Sequence, residues 1–239
     1  GPDLVVQLGS GETLTVEGHF VDGVSTVDDG IEELVFADGT AWGRPDIASR
    51  AWIQGTAATD DLSDTSGDDV VVGAGGDDII RLSDGGDTVR YAAGDGSDII
   101  YDNWSSTGDR LLFVDLLPAQ IEGTHNGTLL QLRVLPTNHV ITVDEQFLST
   151  FSPNGFEEIV FADGTVWDRA TIAINAWLRG TDTVDTLSDS PYNDTYFGRL
   201  GNDTINSGTG SDTFVYRSGD GSDVINETSN SLVEIDTLR

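Results

Sequence analysis

The chain has 239 residues and a formal net charge of -31 at pH 7, from 42 acidic and 11 basic side chains, with no Cys and no Met. That length holds one or two domains with a buried core, while so acidic a surface repels phosphate backbones and anionic bilayers, which excludes nucleic acid and membrane insertion from the expected partners. Without Cys there is neither a disulfide framework nor a thiolate zinc site, and no run of about 18 apolar residues is present to cross a bilayer.

Of the acidic residues 32 are Asp, and every basic residue is Arg. Asp is short, suits turns and holds its carboxylate close to the backbone. The chain opens on Gly-Pro and lacks Met throughout, so it is expected to be a fragment of a longer protein.

In chain order, residues 1–54 carry no Asp rhythm and are expected to be a partial β segment that ends in a capping helix. "VVQLGSGETLTVEGHF" at 5–20 and "IEELVFADGTAW" at 31–42 supply its strands, and "RPDIASRAWIQG", with Pro45 near its start and Gly55 at its close, reads as the helix. From Gly55 to 111 the chain divides into nines: GTAATDDLS, DTSGDDVVV, GAGGDDIIR, LSDGGDTVR, then longer units that reach Asp98 and Asp109. Residues 112–179 return to plain strands, "LLQLRV", "HVITVDEQF" and "EEIVFADGTVW". The last ends in an Asp163-Gly164 turn, followed by a helix over "DRATIAINAWLRG" with Asp168 as N-cap and Gly180 just beyond its end. From 180 to 239 the nines resume as GTDTVDTLS, DSPYNDTYF, GRLGNDTIN and SGTGSDTFV, with Asp223 and Asp236 in two further units.

The two halves are copies. "IEELVFADGTAW" recurs as "FEEIVFADGTVW" at 156–167, "RAWIQGT" as "NAWLRGT" and "GDGSDII" as "GDGSDVI", all at an offset of 125 residues. The expected organisation is therefore a partial β segment (1–54), a first roll (55–111), a second β segment with its helix (112–179) and a second roll (180–239). Trp52 and Trp177 are expected to plug the open ends of the rolls, in preference to a carbohydrate-binding role.

Within each nine, Asp holds the sixth place and an apolar residue the eighth. The Asp set is Asp60, Asp69, Asp78, Asp87, Asp98 and Asp109, then Asp185, Asp194, Asp203, Asp212, Asp223 and Asp236. A Gly/Asp turn followed by a three-residue strand makes half a turn of a coil, so alternate units stack about 4.8 Å apart in parallel. Ile80 then aligns with Leu62 and Ile100 in one sheet, and Val89 with Val71 in the other. One inward residue in nine is a thin core against a backbone entropy of about 1–2 kcal/mol per residue. Val70, Val72 and Ile79 face outward, which calls for a cover over that sheet.

Calcium supplies the missing charge and order. It takes about six to eight oxygen ligands, which stacked Asp carboxylates offer together with carbonyls aimed by Gly73, Gly75, Gly76, Gly85, Gly94, Gly198, Gly201, Gly208, Gly210 and Gly219. Stacking units two apart pairs Asp60 with Asp78, Asp69 with Asp87, Asp78 with Asp98 and Asp87 with Asp109. In the second copy it pairs Asp185 with Asp203, Asp194 with Asp212, Asp203 with Asp223 and Asp212 with Asp236. That allows about six to eight Ca2+ in two separate stacks.

These units resemble the G-G-x-G-x-D-x-U-x nonapeptide of RTX (repeats-in-toxin), haemolysin-type calcium-binding proteins; "GAGGDDIIR", "GRLGNDTIN" and "SGTGSDTFV" are the nearest in form. The resemblance implies an all-β fold of two right-handed parallel β-rolls with calcium between turns. It also implies export as an unfolded chain by type I secretion machinery to the cell surface or the medium. Ala58, Thr183 and Tyr192 stand where the repeat has its fourth-place Gly, and Pro191 precedes the last of them, so the turns at 180–185 and 189–194 are expected to bind weakly or to act as metal-free caps.

No catalytic pattern accompanies the repeats. His19, His125 and His139 lie outside them in unrelated contexts, and there is no G-x-S-x-G, H-E-x-x-H, P-loop or dinucleotide signature. The expected role is a non-catalytic calcium-folded module of a large secreted or surface protein, in contact with neighbouring modules. The alternatives are an extender stalk of an adhesin, or the accessory tail of a secreted hydrolase or toxin.

Overall fold

The computed structural model describes residues 4–7, 12–17, 30–48, 50–102, 108–148, 154–188, 192–227 and 234–239. His19 and the Pro191 turn, on which expectations were placed above, lie outside the described residues.

In roll one the eighth-place apolar residues sit on strands of three or four residues. Asp61–Ser63, Ile79–Leu82 and Ile99–Asp102 pair in parallel in one sheet, and Val70–Val72, Thr88–Tyr91 and Arg110–Phe113 in the other. Leu62, Ile80 and Ile100 share a register, as do Val71, Val89 and Leu111. Roll two repeats this with Leu187, Ile205 and Ile225 on one side and Tyr196, Phe214 and Leu238 on the other. The Tyr196 and Phe214 rings stack 5.5 Å apart. The architecture is a parallel β-roll, nearly all β.

Alternation along the four-residue strands turns the residue two past each core position inward as well. Leu82, Tyr91 and Phe113 are thereby buried beside Ile80, Val89 and Leu111, so the core of roll one is thicker than one residue in nine. The same core runs on through Ile121, Leu130, Leu132, Val143, Phe156, Ile159 and Phe161 of the central segment. Among the described residues the core cluster at roll two is Leu178, Tyr196, Ile205 and Phe214, with Leu187 packed against them.

The two rolls are joined through one sheet, although their Asp ladders remain separate. Val140–Val143 pairs in parallel with Ile99–Asp102 and antiparallel with Leu129–Val134, which pairs with Ile121–Asn126. Ile121–Asn126 then pairs with Ala176–Arg179, and that strand with Thr195–Phe197 of roll two. One ten-stranded sheet thus runs from Asp61–Ser63 to Thr237–Leu238. The physical reason is that a coil end exposes unpaired N–H and C=O groups, and the central strands satisfy them at both rolls. Val70, Val72 and Ile79 remain half-buried on the outer faces, and the central strands extend the sheets at their edges instead of covering them.

Two helices are shorter than expected. Asp168 caps Arg169–Asn175, accepting the Thr171 N–H at 2.8 Å, but the chain then enters the strand Ala176–Arg179 rather than continuing to Gly180. Ladder bonds on both sides of that strand outweigh one more helical turn. Arg44–Ala48 is likewise followed by the strand Trp52–Gln54. This change of period removes both Trp from the interior. Ile53 and Leu178 point in, while Trp52 is 53 % exposed beneath the Arg90 guanidinium and Trp177 lies against Arg179.

Candidate metal centre

The stacked turns bring together all eight Asp pairs. The backbone N–H of Asp60 donates to Oδ1 of Asp78 at 2.9 Å, Asp69 to Asp87 at 2.8 Å, Asp78 to Asp98 at 3.0 Å and Asp87 to Asp109 at 2.7 Å. Roll two repeats the ladder: Asp185 to Asp203, Asp194 to Asp212 and Asp212 to Asp236 at 2.9 Å, and Asp203 to Asp223 at 3.0 Å. Each carboxylate therefore spends one oxygen on the turn before it. The other oxygen, Oδ2, is buried and without a hydrogen-bond partner in Asp78, Asp87, Asp203 and Asp212.

At the start of each roll the second oxygen is used differently. Oδ2 of Asp60 accepts the backbone N–H and the hydroxyl of Thr56, and Oδ2 of Asp185 those of Thr181. Thr65 does the same for Asp69. Here a second-place Thr provides the donors that a cation would otherwise replace. The Thr56 hydrogen bonds hold the Asp60 carboxyl below the usual range. Further along the stack burial takes over: it pushes Asp87 up to about 8 and Asp98 and Asp212 up to about 7, and raises Asp78 and Asp203.

The glycines divide by place. Gly76, Gly85, Gly201 and Gly210 hold the fourth place with positive φ, and a Cβ on any of them would press on the backbone two units earlier. Gly73 and Gly198 lie under Oδ2 of Asp78 and Asp203. Gly75 sits against Ala57, and Gly208 ends the strand Thr204–Gly208. Gly94 and Gly219 have open space around them, at the tip of a two-residue insertion. Their stacking role falls to Gly96 and Gly221, whose φ of 111° and 124° and collision course with the carbonyls of Gly76 and Gly201 admit only Gly. Counting back two residues from Asp98 and Asp223 would have found them. The Tyr192 turn, although it lacks the Gly, keeps the Asp194–Asp212 rung, and its ring packs near Phe147 at 6.0 Å.

Three features escaped the sequence pattern. Asp64, in the first place of its unit, brings its carboxylate to within 4.8 Å of those of Asp69 and Asp87, and Glu227 does the same for Asp212 and Asp236. Buried His125 places Nδ1 3.6 Å from Asp194 Oδ1 and its ring 3.9 Å from Phe147, tying roll two to the central hairpin. Glu157 ends roll one: its Oε2 accepts the N–H groups of Gly108 and Asp109 at 2.9 and 2.8 Å, while Arg169 holds Oε1 at 2.9 Å. A Glu from outside the repeat thus occupies the place of the next rung.

These residues fit a hard divalent cation. Every side-chain donor on the ladder is oxygen, the spare Oδ2 atoms are desolvated, and thiolate or imidazole ligands are absent from the turns, which favours calcium over zinc.

Comparison with known families agrees. A model described as the RTX calcium-binding nonapeptide repeat (4 copies) matches residues 54–89 and 179–214. A haemolysin-type calcium binding protein related domain matches 3–46 and 130–171. No curated protein matches the chain. Among solved structures it is similar to the crystal structure of the extracellular lipase LipA from Serratia marcescens, at 20 % identity and a TM-score of 0.21, over 77 % of this chain and 31 % of that one. The chain spans less than a third of that lipase. With both family models falling on the parts of the duplication that carry the rolls and the segments between them, the chain belongs to the RTX haemolysin-type calcium-binding repeat proteins.

Proposed function

We propose that the chain is a non-catalytic structural module of a larger secreted or surface protein, exported unfolded through a type I secretion machine and folded by calcium outside the cell. The observation that carries this reading is the set of four buried, partnerless Oδ2 atoms on Asp78, Asp87, Asp203 and Asp212. Burial disfavours the ionised form of carboxylates so placed, and a cation beside them restores it. The Asp pairs would hold about six to eight Ca2+, the turns capped by Thr56 and Thr181 being the weakest, with the glycines named above presenting carbonyls. Eight ions would bring the formal charge from -31 to about -15.

Binding free energy is then folding free energy. Extracellular calcium modules bind at about 10⁻⁴ to 10⁻³ M, so cytosolic calcium leaves the rolls unfolded and exportable. Calcium titration followed by circular dichroism tests this. The expected result is a cooperative gain of β signal at millimolar calcium that a chelator reverses; a chelated sample with an unchanged β signal and melt would overturn it. The continuous ten-stranded sheet favours the extender reading, in which tandem modules act as a stiff spacer, over a flexible accessory tail.

A further inference from the structure

The junction between roll one and the central segment has a counterpart at each end of the described chain. At the internal junction the strand Glu158–Val160 lies parallel to Arg110–Phe113, with Leu111 opposite Ile159 and Leu112 opposite Val160, and Glu157 caps Asp109. An offset of 125 residues maps Glu157, Ile159, Val160, Phe161, Trp167 and Arg169 onto Glu32, Leu34, Val35, Phe36, Trp42 and Arg44.

The earlier copy is already folded for the same task. Leu34 pairs with Trp42 as Ile159 does with Trp167. The Phe36–Trp42 rings meet at 4.5 Å and 65°, the Phe161–Trp167 rings at 4.7 Å and 64°. Arg44 reaches Glu32 as Arg169 reaches Glu157. What differs is exposure: Val35 is 67 % and Phe36 38 % exposed where Val160 is half-buried and Phe161 2 % exposed, and Leu34 is half-buried where Ile159 is fully buried. At the other end Asp236 and Leu238 repeat the rung and register of Asp109 and Leu111, yet Leu238 is 69 % exposed where Leu111 is 0 %. Among the described residues, Thr237–Leu238 is the edge of its sheet, and Glu33–Val35 pairs only with Ala41–Gly43.

We propose that these two edges are the halves of one head-to-tail interface, in which the Glu33–Val35 strand of one copy docks beside Thr237–Leu238 of a second copy of this chain. Leu34 lies opposite Leu238, Val35 opposite Arg239, and Glu32 accepts the N–H of the partner's Asp236 as Glu157 accepts that of Asp109. Successive modules then join through sheet pairing rather than through a loose linker. The proposal rests on the calcium reading, because the receiving strand belongs to a calcium-folded roll.

The absence of Cys makes the test direct. A Val35→Cys, Arg239→Cys double variant, mildly oxidised in millimolar calcium, is expected to yield a ladder of disulfide-linked oligomers. A Val35→Cys, Leu200→Cys control should crosslink at least fivefold more slowly, and adding Glu32→Arg to the first variant should slow it several-fold. Circular dichroism on the same samples separates the two readings. Rolls that fold in calcium without selective crosslinking would overturn the head-to-tail interface alone. Rolls that fail to fold in calcium would overturn the functional reading and the interface with it.

Discussion

Oδ1 of Asp87 accepts the backbone N–H of Asp69 at 2.8 Å while its Oδ2 is buried without a hydrogen-bond partner. One carboxylate thereby builds the stack through one oxygen and leaves the other for a cation to meet. On the proposed reading, the rung of the stack and the cation site reside in the same side chain.

That division of labour can be separated by mutation. Asp78→Asn and Asp203→Asn keep a carbonyl oxygen for the rung but remove the charge; Asp78→Ala and Asp203→Ala remove both. The Asn variants are expected to shift the calcium midpoint upward several-fold with the metal-bound fold intact, and the Ala variants to abolish folding of their roll. Asp60→Ala should do least, since Thr56 already occupies its second oxygen. Equal effects of Asp60→Ala and Asp78→Ala in a calcium titration would contradict this ranking.

Acid should replace part of the calcium. Burial raises Asp87 to about 8 and Asp98 and Asp212 to about 7 from the usual 3.8. Between those limits the metal-free fold holds more protons than the unfolded chain, so its stability falls as pH rises. The contribution is fully present below about pH 3.8 and lost as pH passes through 7 to 8. Metal-free chain is therefore expected to gain β signal on titration from pH 8 to pH 5, and calcium binding near pH 7 to release protons. A metal-free β signal that rises with pH would refute the assignment.

Much of this was legible because the nine-residue period states both the coil and its register. The Asp-x-apolar spacing fixed which residues stack, from Leu62–Ile80 to Phe214–Leu238, and which carboxylates meet. What escaped notice depended on contacts distant in sequence. Ala176–Arg179 has helical composition but gains two ladders as a strand. Continuity of the sheet depends on hairpin strands with no repeat pattern. Gly94 and Gly219 belong to the repeat by composition, but an insertion displaces them. Asp64 and Glu227 become visible only once alternation turns the first place of a unit inward.

Glu157 ties the end of roll one to the strand that follows it. Glu157→Gln keeps the shape but weakens two charge-assisted hydrogen bonds and the Arg169 pair. With the carboxylate partly exposed, a loss of about 1.5–3 kcal/mol is the upper bound. It should appear as faster hydrogen exchange at Gly108 and Asp109 with the calcium midpoint of roll two unchanged. Equal loosening of both rolls would assign Glu157 a different role.

The last expectation concerns which site fills first. Asp64 adds a third carboxylate beside Asp69 and Asp87, and burial raises its own pKa, so it too lacks compensating charge. Calcium affinity rises with the number of charged ligands. The Asp69–Asp87 pair should therefore bind more tightly than the Asp60–Asp78 pair on the opposite edge, where Gly55 and Gly73 occupy the first places. Asp64→Asn is expected to weaken the Asp69–Asp87 site on the order of tenfold, equivalent to about 1.4 kcal/mol. Gly73→Asp should not create a matching site, because its side chain would strike Oδ2 of Asp78. Terbium luminescence excited through Trp or Tyr can follow the sites, with calcium as competitor. An unchanged first binding step in Asp64→Asn would show that the first-place carboxylate is a bystander.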